Sequence, residues 1–238
     1  LPRFYLLQQS SVVVDSIDKF VINEVRKSFQ RTILEDLKIP SSKFIEVPHI
    51  RSHRFHIQAE QLIVPSITTA LLNPFGCIDP WIFDFLRGEF ASSVGTAELS
   101  GPKYIYISRN KASKRRVLNE DAVLNHVSKY GFQKVYPEEY SLSEQIALFR
   151  GARAVISPHG AGLANLVFCY PGTKVIEFCS PKYLTRNYRD IAHFAQLDYY
   201  IFAGRNIPQA PIKAMDFDID VDISTLDSTV LQAGIKPL

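Results

Sequence analysis

Apolar positions in the first hundred residues follow two different periods, one typical of strands and one typical of helices. Short runs rich in β-branched residues and bounded by Pro or Ser predict strands in SVVVDS, FIEVP and QLIVPS. Between the first two, apolar residues recur at helical spacing from Asp18 to Leu37, and PWIFDFLRGEF predicts a second helix. A strand, a helix and a strand in this order predict a parallel α/β layer.

The same alternation is more regular after residue 100. Strands are predicted in KYIYISR, QKVYP, AVISP, TKVIEFCSP and DYYIFAG. Helices are predicted in NEDAVLNHVSKYGF, SLSEQIALFRGA, LANLVFCY and ISTLDSTVLQAG, and from about Tyr183 to Gln196. Gly131 is suited to end the first of these helices, and Ser141 with Glu144 forms a capping box for the second. We therefore expect an α/β fold with a doubly wound, mostly parallel sheet flanked by helices.

The stretch ASSVGTAELSGP separates the two portions, and its small residues predict a linker. We expect two Rossmann-like domains, residues 1–95 and residues 100–238, the second of which includes the terminal helix. Because the chain begins with Leu1 and not with Met, we expect the first domain to be truncated at its start.

Composition narrows the class of protein. Of the 238 residues, 46% are hydrophobic and 21% are charged, which is typical of a globular protein with a core. The net charge of +3 is too small to favour a nucleic-acid partner. No apolar run approaches the roughly 20 residues of a membrane-spanning helix.

The cysteines bear on the compartment and on metal binding. Cys77, Cys169 and Cys179 are scattered and odd in number, so we expect free thiols and no zinc site. The absence of paired cysteines and of Asn-x-Ser or Asn-x-Thr sequons favours a bacterial cytoplasm, including its membrane periphery. A secretory-pathway lumen is the alternative.

A glycine-rich turn, AVISPHGAGLANLVF, interrupts an otherwise apolar run. A buried strand followed by a glycine turn and a helix N-terminus predicts an anion site, because unpaired N–H groups and the helix dipole point at the same place. Gly160 and Gly162 let a ligand approach the backbone closely. The other interpretation is a structural turn in which His159 only packs, and the turn alone does not decide between them.

Two familiar motifs fit this turn poorly. A dinucleotide-binding fingerprint would need a third glycine where the chain has Asn165, and the acidic residue Glu177 comes too early for it. An esterase with an HGAG-type oxyanion loop would need a G-x-S-x-G sequence, which the chain lacks.

Basic residues are concentrated in ISRNKASKRRVLNE. Arg109 ends a predicted strand and is expected on the same rim of the sheet as His159, where a guanidinium could hold a diphosphate. Arg115 and Arg116 follow in the loop, and Asn119 is a plausible N-cap. A solvated charged loop is the alternative.

The acidic segment DFDIDVD, residues 216–222, suggests a metal site at first sight. Its sixth position is Val221 where a calcium loop needs glycine, and alternating carboxylates on one face of an extended segment are typical of a solvated edge. We expect no metal.

Three stretches together resemble glycosyltransferase family 61 (DUF563-like): YISRNKASKRRVLNEDAVL, YSLSEQIALFRGARAVISPHGAGLANLVFCYPGTKVIEF and the opening LPRF. The resemblance implies a GT-B fold of two Rossmann-like domains, with the donor bound by the C-terminal one. It implies a metal-independent, inverting hexosyl- or pentosyltransferase that uses a nucleotide sugar, usually UDP-linked, in polysaccharide or glycoconjugate synthesis. The expected partners are that donor and a glycan or glycoconjugate acceptor, with no cofactor; the oligomeric state stays open.

The resemblance also implies site residues. Its SR…R…NE pattern falls on Ser108, Arg109, Arg115 or Arg116, Asn119 and Glu120. Its hGAGL.N loop and its viE strand fall on His159, Gly160, Ala161, Gly162, Leu163, Asn165 and Glu177. Arg109, one of the other two arginines and the loop amides would then stabilise the leaving group, with His159 also a catalytic candidate. Glu177 would hold the ribose, and Ser143 and Gln145 would line the base pocket.

Inverting transfer also needs a general base for the acceptor hydroxyl. Asp15, placed at the end of the predicted strand VVVD, is a candidate, as are His49, His53 and His56; the base could equally lie before Leu1. A binding module or pseudoenzyme without a base, and a different nucleotide-using enzyme, are the alternatives to an active transferase.

Overall fold

The computed structural model describes residues 1–48, 55–65, 79–91, 101–205 and 213–238. The chain divides into two compact units, Leu1–Pro74 and Phe75–Leu238. The predicted linker lies almost wholly outside the described residues, and the division into domains at residues 95–100 stays a prediction. The helical stretch before the linker, which we expected in the first domain, groups with the second unit. Within that unit Arg87 donates to the carbonyl oxygens of Val167 and Cys169, at 2.6 and 3.0 Å.

The described residues of the first unit form a two-stranded parallel sheet and two short α-helices. Its elements are α1 Pro2–Gln8, β1 Phe20–Asn23, α2 Ser28–Asp36 and β2 Phe44–Val47. The two strands pair in register, with Phe20 opposite Phe44 and Asn23 opposite Val47. Among the described residues of this unit only Leu7 is buried, so the unit presents little core of its own.

Three predictions for this unit were wrong. SVVVDS forms only a 3-10 turn at Val14–Ser16, and the described residues 61–65 of QLIVPS form no strand. The helix expected from Asp18 begins only at Ser28, because Phe20–Asn23 is strand β1 and pairs with β2. The β-branched content of these four residues and the partner strand outweigh the helical spacing of the apolar positions.

The second unit is the α/β layer that the sequence predicted. Its strands are β3 Tyr104–Ile107, β4 Gln133–Val135, β5 Ala154–Pro158, β6 Lys174–Cys179 and β7 Asp198–Ala203. Its α-helices are α3 Pro80–Leu86, α4 Glu120–Val127, α5 Leu142–Gly151, α6 Asn187–Phe194 and α7 Ile223–Gln232. A 3-10 helix, Ala161–Phe168, follows β5. All pairings between these described strands are parallel, which confirms the expected fold class.

The burial of this sheet explains why its strands are continuous apolar runs in the sequence. Every residue of β5 and all but the first residue of β6 are buried. One core cluster packs Val123 of α4 and Leu226 of α7 against Tyr106 and Phe178 of the sheet. Strands covered on both faces need apolar residues at consecutive positions, so the alternating pattern of an exposed sheet is absent here.

Two predicted helix ends are confirmed. Gly131 has φ +84°, a left-handed conformation that favours glycine, and it ends the short 3-10 turn after α4. The Ser141 side chain accepts from the Glu144 amide at 3.3 Å, and the Glu144 carboxylate accepts from the Ser141 amide at 2.7 Å. This capping box begins α5 where the sequence placed it.

The order of the strands locates a crevice. The sheet runs β4-β3-β5-β6-β7, so the chain moves outward from β3 to β4 and then returns past β3 to β5. The winding direction therefore reverses between β3 and β5. In doubly wound sheets ligands bind beyond the carboxyl ends of the strands at such a switch point. Arg109 is the second residue after the end of β3, and His159 directly follows the end of β5.

Candidate active site

Arg109 and Gly160 meet at the switch point. A Cβ atom built on Gly160 would lie 3.0 Å from Cζ of Arg109 and closer still to Nη1, a spacing that real side chains do not adopt. The backbone of Gly160 is extended, with φ 178°, so its conformation would suit any residue. The absence of a side chain at Gly160 leaves this space to the guanidinium, which lies across the backbone.

Arg115 shares the site with Arg109. The charge of Arg115, after burial, is the second cause that lowers the pKa of Arg109. The Nε atoms of both arginines are buried without a hydrogen-bond partner among the described residues. Arg115 also has φ +57°, which is uncommon for a residue with a side chain. We call Arg109 and Arg115 the arginine pair.

Neighbouring cations are neutralised, and the arginine pair is not. Lys114 pairs with Asp216 at 2.6 Å and Arg116 with Asp218 at 2.7 Å. Within the part of the chain that the structure describes, neither member of the arginine pair has a carboxylate partner; Arg109 donates only to the carbonyl oxygen of Lys114, at 3.3 Å. The sequence left Arg115 and Arg116 as equal candidates, and the structure brings Arg115 to Arg109.

The glycine loop supplies free amides beside the arginine pair. The helix after it is a 3-10 helix, with the Leu163 amide donating to the carbonyl oxygen of Gly160 at 3.0 Å. The amides of Gly160, Ala161 and Gly162 have no partner among the described residues. The first amides of a helix point outward along its axis, so these three are available to an anion.

Gly162 differs from Gly160 in what surrounds it. A Cβ on Gly162 would lie 3.6 Å from both Ile107 and Pro137, which is ordinary van der Waals contact. The sequence analysis expected both glycines to admit a ligand to the backbone. At Gly160 the group that makes the close approach is the side chain of Arg109.

His159 is buried and belongs to a hydrogen-bonded chain of three polar side chains. Its Nδ1 atom is hydrogen-bonded to Glu177, and the Tyr199 hydroxyl donates to the other Glu177 oxygen. Only 4% of His159 and 1% of Glu177 are exposed. Burial, together with the charge of Glu177, raises the pKa of Tyr199, so its hydroxyl stays protonated at neutral pH.

The position of Glu177 therefore fits poorly with its predicted role in binding the ribose of the donor. Both of its carboxylate oxygens are occupied by protein donors, and the side chain faces the interior of the sheet. Contact with a ribose would require it to release His159 or Tyr199 and leave a buried polar group unpaired. A strand that is buried along its length places its polar residue inward, which the sequence pattern did not reveal.

Two tyrosines absent from the sequence predictions flank His159. The rings of Tyr183 and Tyr188 lie 5.3 and 4.9 Å from its imidazole, centroid to centroid. Burial and then the charge of Glu177 raise the pKa of Tyr188, while the arginine pair acts in the opposite sense. Tyr188 thus lies close to both the cationic and the anionic parts of the site. The signal in the sequence was only two aromatic residues, in YLTRNY, after β6.

Three buried side chains could in principle hold a metal ion. Donor atoms of His159, Glu177 and Cys179 all lie within 4.8 Å of one another. Glu177, however, already accepts from His159 and Tyr199, and burial raises the pKa of the Cys179 thiol. A protonated thiol is a poor metal ligand, so the chemistry of this donor set favours a hydrogen-bonded cluster.

The motif residues near the arginine pair brace the fold. Glu120, which is buried, accepts from Ser108 at 2.8 Å and from Lys134 at 2.9 Å. Asn119 occupies the N-cap position but makes no side-chain capping bond. Instead its side chain donates to the carbonyl oxygen of Val221 at 2.7 Å and accepts from the Val221 amide at 3.0 Å.

The residues predicted for the base pocket lie around the start of α5. Ser143 is exposed there. Gln145 accepts from Asn165 at 2.8 Å and donates to the carbonyl oxygen of Tyr140 at 3.1 Å, which ties α5 to the 3-10 helix. Leu163 is fully buried, so only its backbone could face a ligand.

The acidic segment is an edge whose carboxylates are all engaged. Besides the pairs made by Asp216 and Asp218, Asp220 pairs with Arg205 at 2.7 Å and Asp222 accepts from the Thr225 amide at 2.9 Å. The alternate residues point inward and are buried: Phe217, Ile219 and Val221. The segment alternates as predicted, with its acids serving as ion-pair and capping partners.

The candidate bases belong to the first unit. Asp15 is exposed in the turn Val14–Ser16, so the expectation that it ends a strand was wrong. His56 is also exposed. His49 and His53 lie outside the described residues.

A cavity of about 490 Å³ opens at the opposite rim of the sheet. Lys103, Arg153 and Lys174, which line it, stand at or just before the starts of β3, β5 and β6. It is therefore separated from the switch point by the length of the strands.

The chain is similar in sequence to a protein family and to two named proteins. A family model described as Glycosyltransferase 61 matches residues 1–176. The chain is 29% identical over 164 residues to the Beta-1,2-xylosyltransferase RCN11 of Oryza sativa subsp. japonica, covering 62% of the chain and 30% of the rice protein. It is 31% identical over 107 residues to the EGF domain-specific O-linked N-acetylglucosamine transferase of Drosophila melanogaster, covering 43% of the chain and 20% of that protein. Each alignment spans less than a third of the relative's length.

Proposed function

Because the chain belongs to the Glycosyltransferase 61 family, we propose that it transfers a sugar from a nucleotide donor, UDP-linked, to a hydroxyl of a glycan or glycoconjugate. The observation that carries the proposal is the arginine pair, whose two guanidinium groups lack a carboxylate partner among the described residues. Cations left unneutralised at the ligand-binding edge of a parallel sheet favour a polyanion. The diphosphate of a nucleotide sugar is such a group.

In the proposed reaction, the arginine pair and the loop amides assist departure of the diphosphate from the sugar. As the bond from the anomeric carbon to the diphosphate oxygen breaks, negative charge develops on the leaving diphosphate. Arg109 and Arg115 then donate to its oxygens, and the free amides of Gly160 to Gly162 point the same way. Removing one preorganised donor of this kind typically costs about 2.7–4 kcal/mol of transition-state stabilisation. The reaction as proposed uses no metal.

We further propose a single displacement with inversion at the anomeric carbon. The acceptor hydroxyl attacks from the face opposite the diphosphate and gives its proton to a general base. We assign His159 to the diphosphate side, since it directly precedes Gly160 and contacts Tyr188. Asp15 stays the candidate base in the first unit.

The names of the two relatives suggest which sugars to test. One is called a xylosyltransferase and the other an N-acetylglucosamine transferase. We therefore propose UDP-xylose and UDP-N-acetylglucosamine as the first donors, and a protein-linked or glycan hydroxyl as the acceptor.

We propose a secretory compartment in place of the bacterial cytoplasm expected from the sequence. Both relatives come from eukaryotes, and the Drosophila protein is named for EGF domains, which are disulfide-rich secreted modules. None of the described helices has the length and apolar character needed to cross a membrane.

Thermal unfolding in EDTA with equal concentrations of UDP, ADP and NAD tests the donor class. UDP should raise the Tm most, because a ligand that binds only the folded state stabilises it by mass action. A larger shift with NAD or ADP would contradict a UDP-sugar donor.

Proton NMR of the reaction with the two UDP-α-sugars, with a folded EGF domain or water as acceptor, tests transfer and its stereochemistry. A β-configured product supports inversion, and an α-configured product contradicts it. Binding of UDP without turnover of either sugar would favour the nucleotide-binding module over the enzyme.

A further inference from the structure

We propose that Glu177 and Tyr199 are positioning residues that hold His159 with its Nδ1 proton on Glu177, so that Nε2 is the atom presented to the donor diphosphate. This inference rests on the proposed function and adds to it the orientation and protonation of His159.

The hydrogen bonds allow one arrangement of protons. An ionised carboxylate only accepts, so the imidazole nitrogen bonded to Glu177 must be the donor. The Tyr199 hydroxyl, protonated at neutral pH, fills the second carboxylate oxygen as a donor. Because both carboxylate oxygens of Glu177 accept hydrogen bonds, the Nδ1–H tautomer of His159 is the one that fits this geometry.

The other ring nitrogen is left for a ligand. Among the described residues, the imidazole of His159 is hydrogen-bonded only through Nδ1, to Glu177, and Nε2 has no partner. The rings of Tyr183 and Tyr188 hold the imidazole from the sides. The next residue, Gly160, lies under Arg109, so His159 is adjacent in the chain to the residue that the guanidinium covers.

The position of Glu177 argues against a role in packing alone. It lies on β6 between Ile176 and Phe178, both fully buried, where burying a carboxylate costs stability. An apolar residue would fill the position without that cost. A carboxylate there can do what an apolar residue cannot, which is to fix the tautomer of His159 and stabilise its cation.

Binding of a diphosphate then has a defined consequence for His159. With Nδ1–H already committed to Glu177, Nε2 can donate to a phosphate oxygen only after it takes a proton from solvent. The resulting imidazolium lies between Glu177 and the diphosphate, with a negative group at each nitrogen. We therefore expect UDP to protonate Nε2 while Nδ1 stays protonated.

Nitrogen NMR of the full chain labelled at its six histidines tests the inference directly. His159 is assigned from the signal that disappears in His159→Gln. At about pH 8 the free wild type should show a protonated Nδ1 and a bare Nε2 at His159. Saturating UDP should move the Nε2 shift toward the protonated value.

Two variants separate positioning from a general effect on folding. Glu177→Gln should give a mixture of tautomers and lose the response of Nε2 to UDP, with about 10-fold or greater loss of UDP affinity. Tyr199→Phe should weaken UDP binding several-fold with an unchanged far-UV circular dichroism spectrum. Glu120→Gln, which removes another buried carboxylate of the same unit, should leave the His159 tautomer unchanged.

A wild-type His159 protonated at Nε2 and bare at Nδ1 would overturn the inference, as would a Glu177→Gln variant that keeps the wild-type tautomer and UDP affinity. Because the tautomer is read in the free protein, it also decides the matter if Glu177→Gln does not fold. Failure of the wild type to bind UDP would instead count against the proposed function while the tautomer still tests the positioning.

Discussion

Gly160 matters because its missing side chain leaves room for Arg109. The guanidinium occupies the space in which a Cβ would stand, and from there it faces the crevice between β3 and β5. At the scale of single residues, the candidate site is marked by cationic side chains that no carboxylate neutralises among the described residues. The arginine pair has no carboxylate among the described residues, whereas each of the flanking cations Lys114 and Arg116 has one.

Gly160→Ala should weaken UDP binding while leaving the fold nearly as stable. The methyl group would displace the far end of a flexible side chain, and displacing it costs the protein little but moves the guanidinium off the site. We expect at least about 10-fold loss of affinity, the lower end of the range for one charge-assisted hydrogen bond. Calorimetric titration of UDP measures it.

Gly162→Ala is the matched control for this change, because its methyl group would make only ordinary contacts with Ile107 and Pro137. It should bind UDP within about 2-fold of the wild type. Equal losses in the two variants would mean that the loop as a whole, and not the position of Arg109, sets the affinity.

The elements of the second unit are held together by contacts between segments far apart in sequence. Asn119, at the start of α4, binds both backbone groups of Val221 in the acidic segment, and Val221 is fully buried. The acidic segment in turn neutralises Lys114 and Arg116 in the loop that carries the arginine pair. These contacts between distant segments hold the loop in place and involve neither member of the arginine pair.

Asn119→Ala should destabilise the protein and leave UDP binding intact. The change strands a buried amide and a buried carbonyl, at a cost of about 1–3 kcal/mol. Urea unfolding measures the loss, with Asn125→Ala on the exposed side of the same helix as the control, expected within about 0.5 kcal/mol of the wild type. If Asn119→Ala instead kept its stability and lost UDP affinity, Asn119 would belong to the donor site, as the family resemblance implied.

Asp222, the N-cap of α7, should make stability depend on pH in the acid range. Hydrogen bonds from the Ser224 side chain and from the amide and hydroxyl of Thr225 lower its pKa to about 2, from an ordinary value of 3.8. A lowered carboxyl pKa stabilises the fold above the ordinary value, and that contribution is lost as the pH falls toward 2.

The comparison to make is the Tm of the wild type and of Asp222→Asn between about pH 5 and about pH 2. Asparagine also caps helices but does not titrate. The wild type should be the more stable protein at the upper end, and the difference should shrink on acidification. A difference that stays constant over this range would contradict the assignment.

The whole molecule combines two units of very different internal order. The second unit carries the five-stranded sheet, the buried core and every residue of the proposed donor site. The first has a two-stranded sheet and a single buried residue among those described. Family membership and the α/β fold are established, and the GT-B arrangement of two domains stays a prediction.

Amide hydrogen exchange should separate the two units. Amides of β5 and β6 should exchange at least about 100-fold more slowly than those of β1 and β2, because opening a buried central strand requires disrupting the core. Mass spectrometry of peptic fragments measures this. Equal protection would show that the first unit owes its order to contacts that its own described residues do not reveal.

Much of the second unit could be predicted from the sequence. Its strands and helices follow local patterns of apolar residues, and Gly131 and Ser141 mark where one helix ends and the next begins. The first unit was predicted poorly. Phe20–Asn23 fit the apolar pattern of a helix as well as that of a strand, and only the pairing with β2 decides between them. At the site, the loops follow the strands that the sequence predicted, but the sequence does not show which charged residues pair. Whether Arg115 or Arg116 is neutralised depends on Asp218, 102 positions away, and no local pattern carries that information.

Calorimetric titration of UDP into Arg115→Ala and Arg116→Ala, in EDTA, tests the central claim most directly. The two residues are adjacent and identical, and differ in that Arg116 is paired with Asp218. We predict that Arg115→Ala loses about 1.5–3 kcal/mol of binding free energy, or roughly 10- to 150-fold in affinity, and that Arg116→Ala matches the wild type. Equal affinities in the two variants, or a loss confined to Arg116→Ala, would contradict the assignment of the arginine pair to the donor diphosphate.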